Sequence, residues 1–203
     1  MRTETITYNI YSFDELSKDI QEKVIDKYRT DEWNIQNRSD IFYEDCLSYL
    51  KELFPNSKLN LQYSLSYCQG DGLEIYGNIS FLDLLHFTIS EFSEKEIKTL
   101  NYYFKSVVRD SITLDCNRNY TYYHHKPSDF YDPIVDDLEC ENIRDINYKT
   151  ITKFSRVSDK KLKELCFSME KTGYDALYNI SDEDIVEEIN ANEYEFLADG
   201  KIW

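Results

Sequence analysis

The stretch LNLQYSLSYCQGDGLEIYGNISF, residues 59–81, decides the fold of this 203-residue chain. Its two arms, 59–67 and 73–81, have the length and the apolar and polar patterning that are typical of β-strands. The connection CQGDG, residues 68–72, has the length and the glycine content of a hairpin loop. The stretch therefore predicts two antiparallel strands joined by a short connection.

Two capping boxes predict helices on either side of this hairpin in the sequence. Ser93 and Glu96 precede apolar residues at helical spacing, which predicts a helix of about four turns. Ser12 and Glu15 precede an apolar stripe that recurs every three or four residues and reaches Tyr28. We expect both helices to turn these stripes towards a core.

The rest of the chain adds shorter or less regular elements. The predictions are a strand at 3–11, a helix from Ser39 or Asp40 to Pro55, a second hairpin of strands 111–116 and 120–125, one interrupted helix or two short ones at 158–178, a helix at 181–190 and a terminal hairpin at 194–203. The segment 127–145 is expected to be an irregular surface loop. Together these elements predict an α+β fold, with a mostly antiparallel sheet built from hairpins and covered by several helices. The length favours a single domain, 1–203, with a subdivision into 1–126 and 127–203 as the alternative.

The chain is strongly acidic and rich in aromatic residues. It has 39 aspartates and glutamates against 23 lysines and arginines, a net charge of -16, together with 18 tyrosines and 11 phenylalanines. The aromatic content excludes a disordered acidic chain. Such a field repels nucleic acid phosphates and steers a protein towards basic surfaces. The composition therefore favours a binding protein over an enzyme, with a basic protein surface as its partner and no direct binding of nucleic acid.

Several sequence features favour a cytoplasmic location. The first residues lack the basic start and the apolar run of a secretory signal. The longest apolar clusters fall well short of the roughly 20 residues that a membrane-spanning helix needs, so no membrane partner is expected. Five cysteines at wide and irregular spacing fit reduced thiols better than a disulfide framework.

Few residues suggest catalysis or metal binding. Asp71 lies between two glycines and would present its carboxylate on a tight turn, although a turn needs the same residues for structural reasons. His124 and His125 are adjacent, so on a strand their rings point to opposite faces and cannot share a metal ion. Cys116 would face His124 across the second hairpin, a pairing that chance explains as well as catalysis does. The acid pairs Asp136, Asp137 and Glu187, Glu188 are interpreted as solvated faces. We predict no catalytic residue, no metal and no cofactor.

A tyrosine cluster followed by an acidic segment is the better functional lead. Tyrosines are enriched at the energetic centres of interfaces, because they bury a large ring and keep a polar tip. Carboxylates beside such anchors suit a basic groove that holds a nucleic acid backbone. The alternative is that the tyrosines fill the protein's own core and the acidic loop only solvates it. The predicted partner-binding residues are Asp129, Asp132, Asp136, Asp137, Glu139, Glu141, Tyr122, Tyr123 and Tyr131.

Two stretches carry a further pattern: YSFDELSKDIQEKVIDKY at 11–28 and NEYEFLADGK at 192–201. Both resemble the ends of small, mostly uncharacterised bacteriophage proteins, in which FDELS and YEFxxDGK recur around variable middles. The turn QGDG at 69–72 also resembles a turn in those chains. This resemblance implies a non-structural protein that is expressed in the host cytoplasm. It also implies a role against host defences, since several small acidic phage proteins block a defence nuclease by occupying its nucleic acid site. It carries over no catalytic residue.

Charge, tyrosines and resemblance lead to one functional expectation. The chain is expected to be a phage or mobile-element interaction protein that inhibits a host nucleic-acid-binding defence factor, such as a CRISPR effector nuclease, partly by mimicking nucleic acid. Two alternatives stay open. One is a small enzyme or binding module that acts on a nucleotide-like ligand, with Asp71, His124 and His125 near one pocket. The other is an antitoxin-like partner of a basic toxin.

Overall fold

The computed structural model describes residues 6–107, 109–115 and 130–203. These residues form an α+β fold, which confirms the predicted class. The helices are α1 (Lys18–Thr30), α2 (Glu32–Leu53), α3 (Phe81–Thr88), α4 (Glu94–Ser106), α5 (Tyr131–Cys140), α6 (Tyr148–Tyr178) and α7 (Asp182–Ala191). The strands are β1 (Lys58–Ser64), β2 (Gly72–Ser80) and β3 (Ser111–Leu114).

The sheet has the order β1-β2-β3, and both pairings are antiparallel. The predicted hairpin of 59–67 and 73–81 is therefore confirmed, with Leu61 opposite Ile75 in its register. Gly77 lies in β2 with a φ of +115°, and a Cβ atom there would come within 2.2 Å of the carbonyl oxygen of Lys58 on β1. Only glycine lets the two strands pair this closely. The predicted partner strand of β3, at 120–125, lies outside the described residues.

The chain divides into two compact units, and the boundaries fall within α2 and α6. Unit 1 comprises Met1–Phe42 and Tyr174–Trp203, and unit 2 comprises Tyr43–Gly173. The sheet belongs to unit 2, whereas α1 and α7 belong to unit 1. The single domain and the alternative subdivision after residue 126 stay predictions.

The core of unit 1 joins the beginning of the chain to its end. Its buried members come from a short 3-10 turn (Phe13–Glu15) and the residue after it, from α1, from α7 and from the terminal segment: Phe13, Leu16, Val24, Ile185, Ile189 and Phe196. Backbone hydrogen bonds in both directions pair Tyr11 with Phe196, at 2.9 and 2.8 Å. Phe196 also pairs with Ile202, so the predicted terminal hairpin is confirmed as a minimal pairing.

Gly200 allows the terminal turn to pack against α1. Its φ is +81°, and a Cβ atom at this position would come within 2.9 Å of methyl groups of both Ile20 and Val24. Residues 11–28 and 192–201 therefore pack on each other in the core of unit 1.

The core of unit 2 is built around aromatic contacts. The rings of Phe81 and Phe104 stack with centroids 5.1 Å apart, and Phe104 contacts Phe154 of α6 at 5.0 Å. Asp83, two residues after Phe81 on α3, is also buried. Its carboxylate accepts hydrogen bonds from the backbone amide of Asn56 and from the Ser57 hydroxyl. A buried carboxylate with this many donors ties the β1 entry loop to α3.

Three predictions about the first half of the chain need correction. The predicted strand 3–11 shows pairing only at Tyr11 within its described residues, 6–11. The predicted first helix is interrupted, because Leu16 and Ser17 are extended and α1 begins afresh at Lys18. The second helix begins at Glu32 rather than after Ser39, since the carboxylate of Asp31 accepts from the amides of Trp33 and Asn34.

Two further predictions about the second half were wrong. Within the segment expected to be an irregular loop, residues 131–140 form α5, because Ile134 and Leu138 lie four residues apart and are both buried. The segment 158–178 is neither interrupted nor divided, since α6 is one helix that runs through the buried Gly173. The predicted helices at 93–108 and 181–190 are confirmed as α4 and α7, begun by Ser93 and Ser181.

Candidate partner-binding surface

Helix α5 presents three of the predicted acidic residues on one exposed face. Asp132, Asp136 and Glu139 are spaced at i, i+4 and i+7, opposite the buried Ile134 and Leu138. At 1.5 Å per residue, these three carboxylates extend over about 10 Å of the helix. A helix therefore holds these three acids in a row, and their role in binding a partner stays a prediction.

The other predicted residues differ in accessibility. Asp137 is only 17% exposed, and its carboxylate lies 3.5 Å from the guanidinium of Arg109, so part of its charge is compensated within the fold. Glu141 is exposed just beyond α5, whereas Tyr131 is half-buried at its start. Asp129, Tyr122 and Tyr123 lie outside the described residues, as do Cys116, His124 and His125.

Unit 1 carries an exposed aromatic pair that the sequence did not reveal. The rings of Tyr8 and Trp203 lie with centroids 5.1 Å apart, and both side chains are at least half exposed. Ile6, Ile10 and Ile202, their near neighbours in the chain, are exposed as well. Clusters of exposed apolar side chains of this kind often mark interaction surfaces.

An open acidic groove of about 580 Å³ lies between the end of α6 and α7. Four carboxylates line it, and no lysine or arginine is among its described lining residues: the acids are Asp175, Asp184, Glu187 and Glu188. The sequence from 172 to 200 contains nine acidic residues and no basic one. This groove is a second place where negative charge is concentrated without local compensation.

One acid of this groove also interacts with the core of unit 1. Glu188 accepts a hydrogen bond from the Tyr28 hydroxyl, and burial together with this carboxylate raises the pKa of Tyr28 to about 12. Tyr28 in turn packs beside Tyr194, with ring centroids 6.4 Å apart. The groove is therefore anchored to a packed aromatic pair.

The hairpin loop of β1 and β2 uses Asp71 for structure. One carboxylate oxygen accepts from the amides of Ser66 and Cys68, at 2.7 and 3.1 Å, and the other accepts from the hydroxyls of Ser64 and Ser66. This pattern favours the turn-forming interpretation of Asp71. Among the described residues, no group of three or more histidine, cysteine or acidic side chains is arranged to hold a metal ion.

The described cysteines fall into two classes. Cys46 and Cys166 are buried, and burial raises the pKa of each thiol to about 12, which keeps both protonated and unreactive at neutral pH. Cys68 and Cys140 are exposed. All four are free thiols.

The chain was compared with protein families, curated proteins and solved structures. None of the three comparisons finds a match. In the part of the chain that the structure describes, every helix is too short or too polar to cross a membrane.

Proposed function

We propose that the chain is a phage or mobile-element interaction protein that inhibits a host nucleic-acid-binding defence factor, such as a CRISPR effector nuclease. In this proposal it acts in the host cytoplasm. Acidic surfaces of the protein occupy the basic groove in which the factor holds nucleic acid. Aromatic side chains then anchor the complex.

The uneven distribution of charge is the observation that carries this proposal. Unit 1 has 18 acidic against 7 basic residues, a net charge of -11 on 72 residues. Unit 2 has 21 acidic against 16 basic residues, a net charge of -5 on 131 residues. Because the excess is local rather than uniform, unit 1 supports a strong directional field.

The exposed aromatic pair of unit 1, Tyr8 and Trp203, offers the apolar contact area that acidic residues do not provide. Electrostatic complementarity raises association rates, but tight binding needs a few large apolar side chains that become fully buried. Tyr8 and Trp203 are exposed in the same unit as the acidic groove. The row of acids on α5 offers a further surface, consistent with the partner-binding residues expected from the sequence.

Displacement of nucleic acid from purified defence nucleases would test the proposal. The wild-type protein should release a fluorescent guide RNA or target DNA from at least one CRISPR effector, and its potency should fall steeply between about 50 and 300 mM salt. The variant Glu183→Lys, Glu187→Lys, Glu195→Lys, confined to unit 1, should lose about tenfold or more in potency. A parallel variant on α5, Asp132→Lys, Asp136→Lys, Glu139→Lys, tests whether the acidic row of this helix also contributes to potency.

A control of equal net charge separates local from total charge. Glu44→Lys, Asp45→Lys, Glu52→Lys changes three exposed acids of α2 within unit 2 and should leave potency unchanged. Equal losses in the unit 1 variant and this control would mean that only total charge matters, which contradicts the proposal. Binding to a basic ribonuclease toxin but to no defence nuclease would favour the antitoxin-like alternative instead.

A further inference from the structure

The sign of the charge reverses in one part of this acidic chain. Between residues 144 and 163 there are seven lysines and arginines against two acids, Asp145 and Asp159. This segment contains the first half of α6 and belongs to unit 2. A local excess of +5 in a chain of net charge -16 needs a physical explanation.

Five of the seven cations of α6 share one side of the helix, which we call the basic stripe. Its members recur at alternating steps of four and three residues: Lys149, Lys153, Arg156, Lys160 and Lys163. The opposite side of the helix is buried through Ile151, Phe154 and Leu162. At 1.5 Å per residue, the basic stripe extends over about 21 Å.

Some members of the basic stripe are compensated and others are not. Lys153 bonds to Glu96 at 3.0 Å, Lys163 to Asp159 at 2.8 Å, and Lys160 lies 3.6 Å from Glu164. Within the described residues, Lys149 and Arg156 have no carboxylate within ion-pair distance. Ordinary helix-surface pairing therefore accounts for only part of the stripe.

One open groove lies on the basic stripe itself, and a second includes residues 144 and 145, which precede the stripe in the chain. One, of about 350 Å³, is lined by Tyr148, Lys149, Thr152, Lys153 and Arg156, with no acid among its described lining residues. The other, of about 770 Å³, brings Lys95, Lys98 and Tyr102 of α4 next to Arg144, together with Glu94 and Asp145. Lys95, Lys98 and Arg144 also have no ion pair in the part of the chain that the structure describes.

Each groove offers an exposed aromatic face. Tyr102 is 57% exposed and Tyr148 is 46% exposed. The hydroxyl of Tyr148 donates to Glu139 at 3.4 Å, which limits the rotation of its ring. Cations along a track with aromatic faces between them are the combination by which proteins bind single-stranded nucleic acid: the cations hold phosphates, and bases stack on the rings.

We propose that unit 2 binds single-stranded nucleic acid along the basic stripe and its two grooves. This differs from the expectation of no direct nucleic acid binding, which rested on total charge. At physiological salt, charges more than about 8 Å apart are largely screened, so the charges close to a bound ligand matter more than the total charge of the chain. The residues that carry this proposal differ from the acidic residues assigned to the partner, and the two sets meet where Tyr148 contacts Glu139.

Fluorescence anisotropy with a labelled oligothymidylate of about 20 nucleotides tests the proposal, since such grooves typically take 4–16 nucleotides. If all five cations of the stripe contact phosphates, the logarithm of the binding constant should fall with the logarithm of salt concentration with a slope of about -3.5. Lys149→Glu with Arg156→Glu should reduce that slope by about 1.4 and weaken binding about 25-fold at 0.1 M salt. Tyr148→Ala should weaken binding about fivefold or more without changing the slope.

The control variant makes the same change in net charge at two positions outside the basic stripe and its grooves. Lys18→Glu with Lys23→Glu alters two exposed lysines of α1 in unit 1 and should leave binding unchanged. No binding at about 50 mM salt, or equal loss in both double variants, would overturn the proposal. Competition by polyglutamate as effective as by oligothymidylate would also overturn it, because the surface would then recognise acidic chains in general.

Discussion

Unit 1 and unit 2 differ in how their charge relates to their core. Unit 1 has eight buried apolar side chains among its described residues and a net charge of -11. Unit 2 has twenty-five buried apolar side chains among its described residues, a sheet, and a net charge of only -5. The greater charge density therefore lies on the unit with the smaller core.

This difference predicts which interactions the stability of each unit depends on. Like charges repel within a compact state, so a concentrated field lowers the stability of the unit that carries it. A small core has little surplus to offset that repulsion. Unit 1 is accordingly expected to depend strongly on its few buried side chains and on ionic strength, whereas unit 2 should depend on neither to the same degree.

Among the substitutions that test this difference between the units, Phe196→Ala should lower the free energy of unfolding the most. Phe196 is buried at the centre of the unit 1 core, against Phe13, and its backbone pairs with Tyr11. Truncation should cost about 3–5 kcal/mol of the free energy of unfolding, as measured in urea. Hydrogen exchange of the Tyr11 amide should accelerate, because that amide donates to the carbonyl of Phe196.

Phe167→Ala is the matched control for this substitution. Phe167 lies on α6 with 69% of its surface exposed, so its loss should change the free energy of unfolding by less than about 0.5 kcal/mol. A cost below about 1 kcal/mol for Phe196→Ala would show that the small core is not what holds unit 1 together.

Glu96→Gln should have an intermediate and pH-dependent effect in unit 2. Glu96 accepts from the amide and the hydroxyl of Ser93, both at 2.8 Å, and from Lys153, and these donors lower its pKa to about 2. A carboxyl whose pKa is lower in the folded state contributes stability above its unfolded pKa of about 4.3, and loses it as the pH falls towards 2.

Urea unfolding between about pH 2 and pH 7 would measure this contribution. The wild-type protein should be more stable than the variant at neutral pH, and the difference should disappear as the pH approaches 2. Glu94→Gln changes a neighbouring exposed acid of the same turn and should show a smaller pH-dependent difference. If both variants behave alike, the capping box does not stabilise α4.

Added sodium chloride should have the smallest effect of these tests, and it should change the hydrogen-exchange protection of unit 1 more than that of unit 2. Screening relieves the repulsion within unit 1, so protection of the Phe196 amide should rise about twofold to fivefold between low and physiological salt. Protection of the Phe81 amide, which donates to Asp110 in unit 2, should change less. An equal rise in both amides would contradict the link between charge density and stability.

Local sequence signals were sufficient for several elements. Ser93 with Glu96 predicted the start of α4, and the paired arms at 59–81 predicted both long strands with their antiparallel pairing. Ser181 likewise predicted the start of α7. In each case the decisive interaction lies within a few residues or across one short loop.

Other features could not be recognised because they depend on distant contacts. Helix α5 contains a proline and many acids, which are typical of loops, and only the burial of Ile134 and Leu138 against unit 2 makes it a helix. The acids on its surface were predicted, but their arrangement in a row was not. The pairing of Tyr8 with Trp203 joins opposite ends of the sequence, so no local pattern indicated it.

The backbone pairing of Tyr11 with Phe196 also determines the order in which the chain can fold during synthesis. All of unit 2 lies between residues 43 and 173, so its contacts can form while the ribosome is still adding the last segment. Unit 1 must wait until Phe196 has emerged, and its N-terminal half remains open until then. The strongly acidic unit 1 should therefore become structured after unit 2 in a newly made molecule.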